Sequence, residues 1–110
     1  MKLPDAAKAR VERKKIVEYL LSFSHPDGRS KAEFFSRFGF HVDDWRVLAT
    51  ALKKHGRENL VSGSAESPYG TRYNVDGPIV TPDRRNPQVR TVWILPKGSR
   101  TPRLIKAHPK

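Results

Sequence analysis

The segment Val89-Arg90-Thr91-Val92-Trp93-Ile94-Leu95 has the strongest β-strand signal in the chain and decides the fold class. It is rich in β-branched and aromatic residues, and from Val92 onward it is apolar on both faces. Such a run is typical of a central strand that has a neighbour at each edge and is covered on one side. The sequence therefore predicts a sheet built around residues 89–95.

The second half of the chain supplies the other strands. Weaker β-type runs at residues 59–66, 71–76 and 103–107 are separated by turn residues. The segment 81–88, with two prolines, is predicted to be an exposed and mobile loop. Since the other connections are of hairpin length, the pattern favours an antiparallel meander of four strands.

The first half has helical periodicity instead. Apolar residues recur at helical spacing in 12–21, 29–39 and 43–56, which predicts three helices. Ser30 is predicted to cap the second helix, and Gly56 is predicted to end the third.

The predicted fold class is therefore α+β, with about three N-terminal helices followed by a four-stranded antiparallel sheet, and with the helices on one face of the sheet. A chain of 110 residues can build one hydrophobic core, so we expect a single domain over 1–110, helical in 1–56 and β in 57–110. The chain has no cysteine, and packing rather than disulfides must hold the fold.

The charge of the chain indicates a polyanionic partner. The formal net charge is +11, and residues 84–110 carry eight basic and no acidic side chains. RNA is the first candidate partner, with DNA, a ribosome, an acidic protein or a merely solvated basic surface as alternatives. The first residues lack the apolar core of a signal peptide and no apolar run reaches membrane-helix length, so we expect a cytoplasmic protein with no membrane partner.

The uncovered face of the predicted sheet is a candidate RNA surface. Depending on register it presents Arg72, Tyr73, Arg90, Thr91, Arg103 and Lys106. Tyr69 lies in a turn, and Arg84 and Arg85 lie in the predicted loop 81–88. A twisted basic sheet with aromatic residues is a suitable cradle for single-stranded nucleic acid.

A second group of candidate residues lies between the first two helices. His25 sits in a Pro/Gly turn, and Arg29 and Lys31 follow at the start of the second helix, whose first amides favour an anion. These residues predict a phosphate site beside a titratable imidazole. The alternative interpretation is that His25 only caps the turn; His41 and His55 are interpreted as surface groups, and Trp93 as core.

The residue inventory excludes several reaction classes and favours one. No metal-ligand motif, phosphate-cradling glycine loop or covalent hydrolase nucleophile is found, so no metal and no cofactor is predicted. Histidine, tyrosine, arginine and lysine remain, and they suit RNA cleavage by the substrate's own 2′-hydroxyl. In this hypothesis His25 transfers protons, while Arg29, Lys31 and Arg90 balance charge on the phosphorane. Tyr69 or Tyr73 stacks on a base or donates a hydrogen bond.

Motifs over nearly the whole chain resemble a family of small bacterial toxin domains of the barnase, EndoU, colicin and RelE (BECR) ribonuclease group. They are His25-Pro26 with Gly28-Arg29-Ser30-Lys31-Ala32, Pro68-Tyr69-Gly70-Thr71, and Val89-Arg90-Thr91-Val92-Trp93-Ile94. The resemblance implies helices before a four-stranded antiparallel sheet and a ribonuclease toxin, from a toxin–antitoxin or polymorphic toxin system, that is silenced by a cognate antitoxin covering the active site.

The resemblance also implies where that site lies. The site is expected between the helices and the open sheet face, with His25 and Arg90 in one cleft. Its expected residues are His25, Arg29, Lys31, Tyr69, Tyr73, Arg90 and Thr91. The family can have histidine at the position of Ser30, and His108 is the alternative second imidazole. A non-catalytic nucleic-acid-binding module and a basic interaction protein are the alternative functions.

Overall fold

A computed structural model describes residues 1–110 and confirms the predicted order of three helices and a four-stranded antiparallel sheet. The helices are α1 (Arg13–Lys15), which continues as a π-helical turn (Ile16–Leu20), α2 (Arg29–Arg37) and α3 (Trp45–Glu58). The strands are β1 (Val61–Ser67), β2 (Gly70–Pro78), β3 (Gln88–Pro96) and β4 (Arg103–Pro109). Short 3₁₀ turns at Ala6–Lys8 and Val42–Asp44 complete the list.

The strand order in the sheet is β1-β2-β3-β4, so the segment that decides the fold is an inner strand with antiparallel partners on both sides. A bulge at Val92/Trp93 shifts the register of β4 against β3. The chain before α1 lines both outer edges: Lys2 bridges to Leu60 beside β1, and Arg10 bridges to Arg103 beside β4.

The core lies between the helices and one face of the sheet. A single cluster of 18 buried residues joins the π-helical turn after α1, α2 and α3 to the sheet residues Val75, Val89, Trp93, Leu104 and Ala107. Trp93 is fully buried, as predicted, and α3 packs on β2 and β3. None of the helices has the length and apolar character that a membrane crossing requires.

The prediction that Gly56 ends the third helix is wrong, because α3 continues to Glu58. Gly56 is buried, and a Cβ added there would lie 2.6 Å from Cζ2 of Trp93. The glycine is therefore needed for the close approach of α3 to the indole ring and not for helix termination.

The prediction that Ser30 caps α2 is also wrong. Gly28 occupies the N-cap position and no side chain caps the helix there. Instead Nδ1 of His25 accepts hydrogen bonds from the backbone N–H of Asp27 (3.0 Å) and of Gly28 (3.1 Å). The imidazole thus satisfies backbone amides of the turn that leads into α2.

The segment predicted as an exposed loop at 81–88 is closed by its own side chains. Thr81 is buried, and its hydroxyl donates to Asp83 at 2.7 Å. Asn86 accepts from the Thr81 N–H at 2.9 Å. Arg85 is bound to Asp83 and donates to the carbonyl of Arg37 at 2.8 Å, which attaches the loop to the end of α2.

Candidate nucleic-acid interface

The face of the sheet that is turned away from the helices carries three cross-strand rows of side chains. Strand alternation places Val75, Thr91 and Ala107 in the core, so their neighbours Asp76, Arg90 and His108 face outward. The first row is Asp76–Arg90–His108, the second is Asn74–Val92–Lys106, and the third is Arg72–Ile94–Arg103.

The first row contains a bidentate ion pair. Nε and Nη2 of Arg90 donate to the two carboxylate oxygens of Asp76 at 2.7 and 2.9 Å, and Nζ of Lys110 lies 3.3 Å from the same carboxylate. His108 is the cross-strand partner of Arg90. We call Asp76, Arg90, His108 and Lys110 the sheet-face cluster.

Electrostatics fix the charge states of the Asp76–Arg90 pair. The hydrogen bonds from Arg90, with smaller contributions from Ser62 and Lys110, hold the pKa of Asp76 far below its usual range. The same hydrogen bonds raise the pKa of Arg90. Asp76 is therefore anionic at neutral pH, and it orients a guanidinium whose Nη1 it does not engage.

His108 has one ring nitrogen engaged and one free. Its Nδ1 lies 3.1 Å from the carbonyl oxygen of Pro109, and since a carbonyl only accepts, Nδ1 is the donor. Nε2 then carries the lone pair, and the imidazole is half-buried. His108 is thus placed to accept a proton on the same face as the Arg90 guanidinium.

The other two rows surround a small apolar centre with basic groups. Val92 and Ile94 are buried but lie outside the core cluster, under the longer side chains beside them. Arg72, Arg103 and Lys106 are exposed around this centre. The face is therefore cationic at its rim, as phosphate binding requires.

Two residues predicted for the open face point into the core instead. Thr91 is completely buried, and Tyr73 is half-buried and packs against the core cluster. Trp93 Nε1 donates to Thr91 Oγ1 at 2.8 Å, and Oγ1 lies 2.9 Å from His55 Nδ1. Because the fold closes over Thr91, we do not propose contact between Thr91 and a substrate.

His55 is not the surface group that the sequence suggested. It is buried, with Nε2 3.0 Å from the carbonyl oxygen of Gly77. The carbonyl requires a donor, so Nε2 carries the proton and Nδ1 accepts from the Thr91 hydroxyl. Burial lowers the pKa of His55, and it outweighs the opposite effects of the backbone groups of Gly77 and Val89 and of the Asp76 charge.

This burial predicts a pH-dependent stability. In the unfolded chain the pKa of His55 is about 6.5, whereas in the folded chain it is lower. Between these two pKa values the unfolded state therefore binds more protons than the folded state. We expect the free energy of unfolding to fall as the pH drops below about 6.5, by up to about 1.4 kcal/mol per unit. Urea unfolding of the wild type, His55→Gln and His41→Gln checks this. Only His55→Gln should lose the slope, and a slope that persists in it contradicts the assignment.

The second group of predicted residues lies in the helical layer. The His25 ring contacts Tyr19 edge-on, with 4.8 Å between centroids, and both line a cavity of ≈ 380 Å³ with residues of α1. Nζ of Lys15 and of Lys31 lie 5.4 and 5.3 Å from the centre of the Tyr19 ring. We call Lys15, Tyr19, His25 and Lys31 the hinge cluster. Arg29 is exposed and pairs with Glu33 at 3.3 Å.

The structure does not bring the two groups into one cleft. The cavity beside His25 is lined from α1 and the turn before α2, and Arg90 is not among its lining residues. Arg90 lies on the sheet face opposite to the helices. The helical layer brings together His25, Lys31 and Tyr19. The open sheet face brings together a separate set, Arg72, Arg90, Arg103 and Lys106.

The remaining predicted residues flank the sheet. Tyr69, in the turn between β1 and β2, is 82% exposed. Arg84 is exposed in the loop after β2, with a positive φ of 65°. The Arg85 guanidinium lies 4.4 Å from the centre of the Phe38 ring, and so it is directed to the helical layer.

A comparison with protein-family models settles the family. The model described as "Domain of unknown function (DUF6883)" matches residues 2–110. The chain belongs to this family. A search of the curated proteins finds no match.

The DUF6883 domain also has a structural neighbour. A chain in the structure titled "Contact-dependent growth inhibition toxin - immunity protein complex from Klebsiella pneumoniae 342" superposes with a TM-score of 0.73. The identity is 20%, over 96% of this chain and 97% of that chain. At this identity the likeness establishes a shared fold over nearly the full length of both chains.

Three members of the sheet-face cluster were not predicted as site residues. Asp76 was predicted as the end of a strand, His108 only as an alternative second imidazole, and Lys110 was given no role. The sequence did contain a signal for two of them, because Asp76 is the last residue of the alternating run 71–76 and His108 follows the predicted strand 103–107. The register that aligns them depends on the bulge at Val92/Trp93, which the DUF6883 sequence does not reveal.

Proposed function

We propose that the DUF6883 domain is a bacterial toxin that acts as a metal-independent endoribonuclease, with its catalytic centre at the sheet-face cluster. The observation that supports this most strongly is the first row of the open face, where a histidine with a free ring nitrogen lies across from an arginine oriented by a carboxylate. A shared fold with a chain from a toxin–immunity complex supports the toxin role.

The proposed chemistry uses the RNA's own 2′-hydroxyl as the nucleophile. His108 takes the 2′-hydroxyl proton at Nε2 while the 2′-oxygen attacks the adjacent phosphorus. Arg90 and Lys110 stabilise the extra negative charge of the phosphorane, and Asp76 holds Arg90 in position. The bond from phosphorus to the 5′-oxygen then breaks, the leaving 5′-oxygen takes a proton from water, and His108 releases its proton to the solvent. The products are a 2′,3′-cyclic phosphate and a 5′-hydroxyl end.

The rest of the open face is proposed to bind the RNA strand. Arg72, Arg103 and Lys106 contact phosphates, and Tyr69 stacks on a base beyond the third row. Arg84 extends this surface beyond the first row, whereas Arg85 is directed to the helical layer and is not proposed to bind RNA. His25, Arg29 and Lys31 belong to the hinge and are not proposed for the chemical step. No metal or other cofactor takes part in this scheme.

The proposed partner besides RNA is a cognate antitoxin or immunity protein that covers the sheet face. Since the face is cationic, we expect the antitoxin to present acidic side chains there. Co-expression with the product of the neighbouring gene should restore growth, and Arg72→Glu or Lys106→Glu should weaken the complex. A complex that is unaffected by both charge reversals places the antitoxin elsewhere.

Expression in bacteria, with RNA extracted over time, tests the proposed function. We expect growth arrest with loss of intact RNA for the wild type. Arg90→Gln should lower the cleavage rate of the purified protein by about a hundredfold, because a charge-stabilising donor is lost at the phosphorane. Arg57→Gln removes an exposed charge of α3, which lies on the opposite face of the sheet from the cluster, and is the control.

Two results would contradict the proposal and point to the alternative functions. RNA that binds in a salt-dependent way yet stays intact indicates a non-catalytic nucleic-acid-binding module. A tight complex with an acidic protein, without affinity for RNA, indicates a basic interaction protein.

A further inference from the structure

The hinge cluster has the features of a ligand site that the sheet-face chemistry does not use. Its cavity of ≈ 380 Å³ falls in the range of small-molecule sites, about 300–1,000 Å³. The lining residues are Glu12, Lys14, Lys15, Glu18, Tyr19 and His25. Lys31 approaches the same Tyr19 ring from α2.

The imidazole of His25 presents a hydrogen-bond donor of fixed position to this cavity. Its Nδ1 accepts two backbone N–H groups, so the ring proton lies on Nε2, the nitrogen that these bonds leave free. The edge-on contact with Tyr19 further restricts the ring. An oriented imidazole N–H beside two ammonium groups favours a phosphate group in the cavity.

The other groups of the cavity suit a base more than a second anion. The half-buried Tyr19 ring offers an aromatic surface for stacking when the ammonium groups of Lys15 and Lys31, which lie over it, turn to a phosphate. Glu12 and Glu18 repel phosphate, but their carboxylates accept hydrogen bonds from the exocyclic amino groups of bases. A nucleotide is the ligand class that combines a phosphate, a stacking ring and amino donors.

A second cavity lies between the hinge and the sheet. Glu12 and Lys15 line this cavity of ≈ 240 Å³ together with Arg103 and Ile105 of β4. Arg103 ends the third row of the open face. The two cavities share Glu12 and Lys15, so the hinge and the β4 end of the open face are neighbouring sites.

From these observations we infer that the hinge cavity binds a nucleotide, with the phosphate on His25, Lys15 and Lys31 and the base against Tyr19. The occupant is either a free mononucleotide or one nucleotide of an RNA strand that crosses β4 at Arg103. The second of these sources rests on the proposed function, whereas nucleotide binding itself does not.

Binding of 5′-AMP and of the RNA tetranucleotide AAAA, followed by the NMR signals of the His25 and Tyr19 rings, tests the inference. The protein is the His108→Ala variant, so that RNA is not cut. We expect both rings to shift with AMP, and Lys15→Ala and Tyr19→Leu each to weaken AMP binding about tenfold. Lys53→Ala, an exposed lysine of α3, is the charge-matched control and should leave the affinity unchanged.

Each outcome decides a specific point. A tetranucleotide that binds at least tenfold more tightly than AMP, and loses this advantage in Arg103→Ala, assigns the site to an RNA strand; equal affinities assign it to free nucleotides.

Absence of shifts at both rings with both probes overturns the inference, as does equal weakening by Lys53→Ala. Lys15→Ala keeps the test valid if Tyr19→Leu unfolds. Because binding is measured without cleavage, intact RNA in the wild-type assay overturns the proposed function alone.

Discussion

Replacement of His108 by alanine is expected to lower the RNA cleavage rate by about 10²–10⁴-fold, the usual contribution of a positioned general base. The reason is geometric. His108 lies across from Arg90 on the open face, and its Nε2 is free because Nδ1 is engaged with the Pro109 carbonyl. Cleavage of a defined RNA by purified protein under single-turnover conditions measures the effect on the chemical step.

The controls separate the two imidazoles that the sequence offered. His41→Ala removes an exposed histidine before α3 and should leave the rate unchanged. His25→Ala should mainly weaken RNA binding, because His25 lies in the hinge cavity. If His25→Ala abolishes the chemical step and His108→Ala does not, catalysis belongs to the hinge and the sheet-face assignment is wrong. Thermal unfolding of each variant excludes loss of folding as the cause.

Trp93→Ala is expected to destabilise the fold by about 3–5 kcal/mol, the usual cost of truncating a large buried aromatic side chain. Trp93 is fully buried and lies against Gly56 of α3. Its indole N–H also donates to Thr91, whose hydroxyl meets His55. Domains of this size have a free energy of unfolding of about 5–15 kcal/mol, so this change removes a large part of the stability of the fold. Urea unfolding at neutral pH measures the change.

Trp45→Ala is the matched control for this prediction. Trp45 is half-buried, and the guanidinium groups of Arg13 and Arg46 lie 5.8 and 4.8 Å from the centre of its ring. Trp45 also packs partly against the core cluster, so the loss of these contacts and of its partial burial is expected to cost about 1–2 kcal/mol. Equal losses of stability in the two variants would show that Trp93 is not the centre of the core.

The fold was predictable because its signals are local. The β-branched and aromatic residues of 89–95, apolar on both faces from Val92 onward, identified an inner strand, and helical spacing identified α2 and α3. The burial of His55 was not predictable, because Lys53, Lys54 and Arg57 around it make the sequence look like a solvated surface. Only the approach of α3 to Thr91 and Gly77 gives that imidazole its partners.

The site was predictable only in part, and for a related reason. Arg72, Arg90, Arg103 and Lys106 lie on the open face as expected, because each has the outward parity of its strand. The pairing of Arg90 with Asp76 depends on the register between β2 and β3. The alignment of Arg90 with His108 depends on the register between β3 and β4, which a bulge modifies. The separation of His25 from Arg90 depends on the packing of helices on the opposite face.

The most direct measurement is the chemistry of the RNA ends that the purified protein leaves in the presence of EDTA. A sheet-face ribonuclease that uses the substrate's 2′-hydroxyl should give 2′,3′-cyclic phosphate and 5′-hydroxyl ends, and one 2′-deoxy nucleotide at the cleaved position should block the cut. Intact RNA, cleavage of the 2′-deoxy substrate, or ends carrying 3′-hydroxyl and 5′-phosphate groups would contradict it.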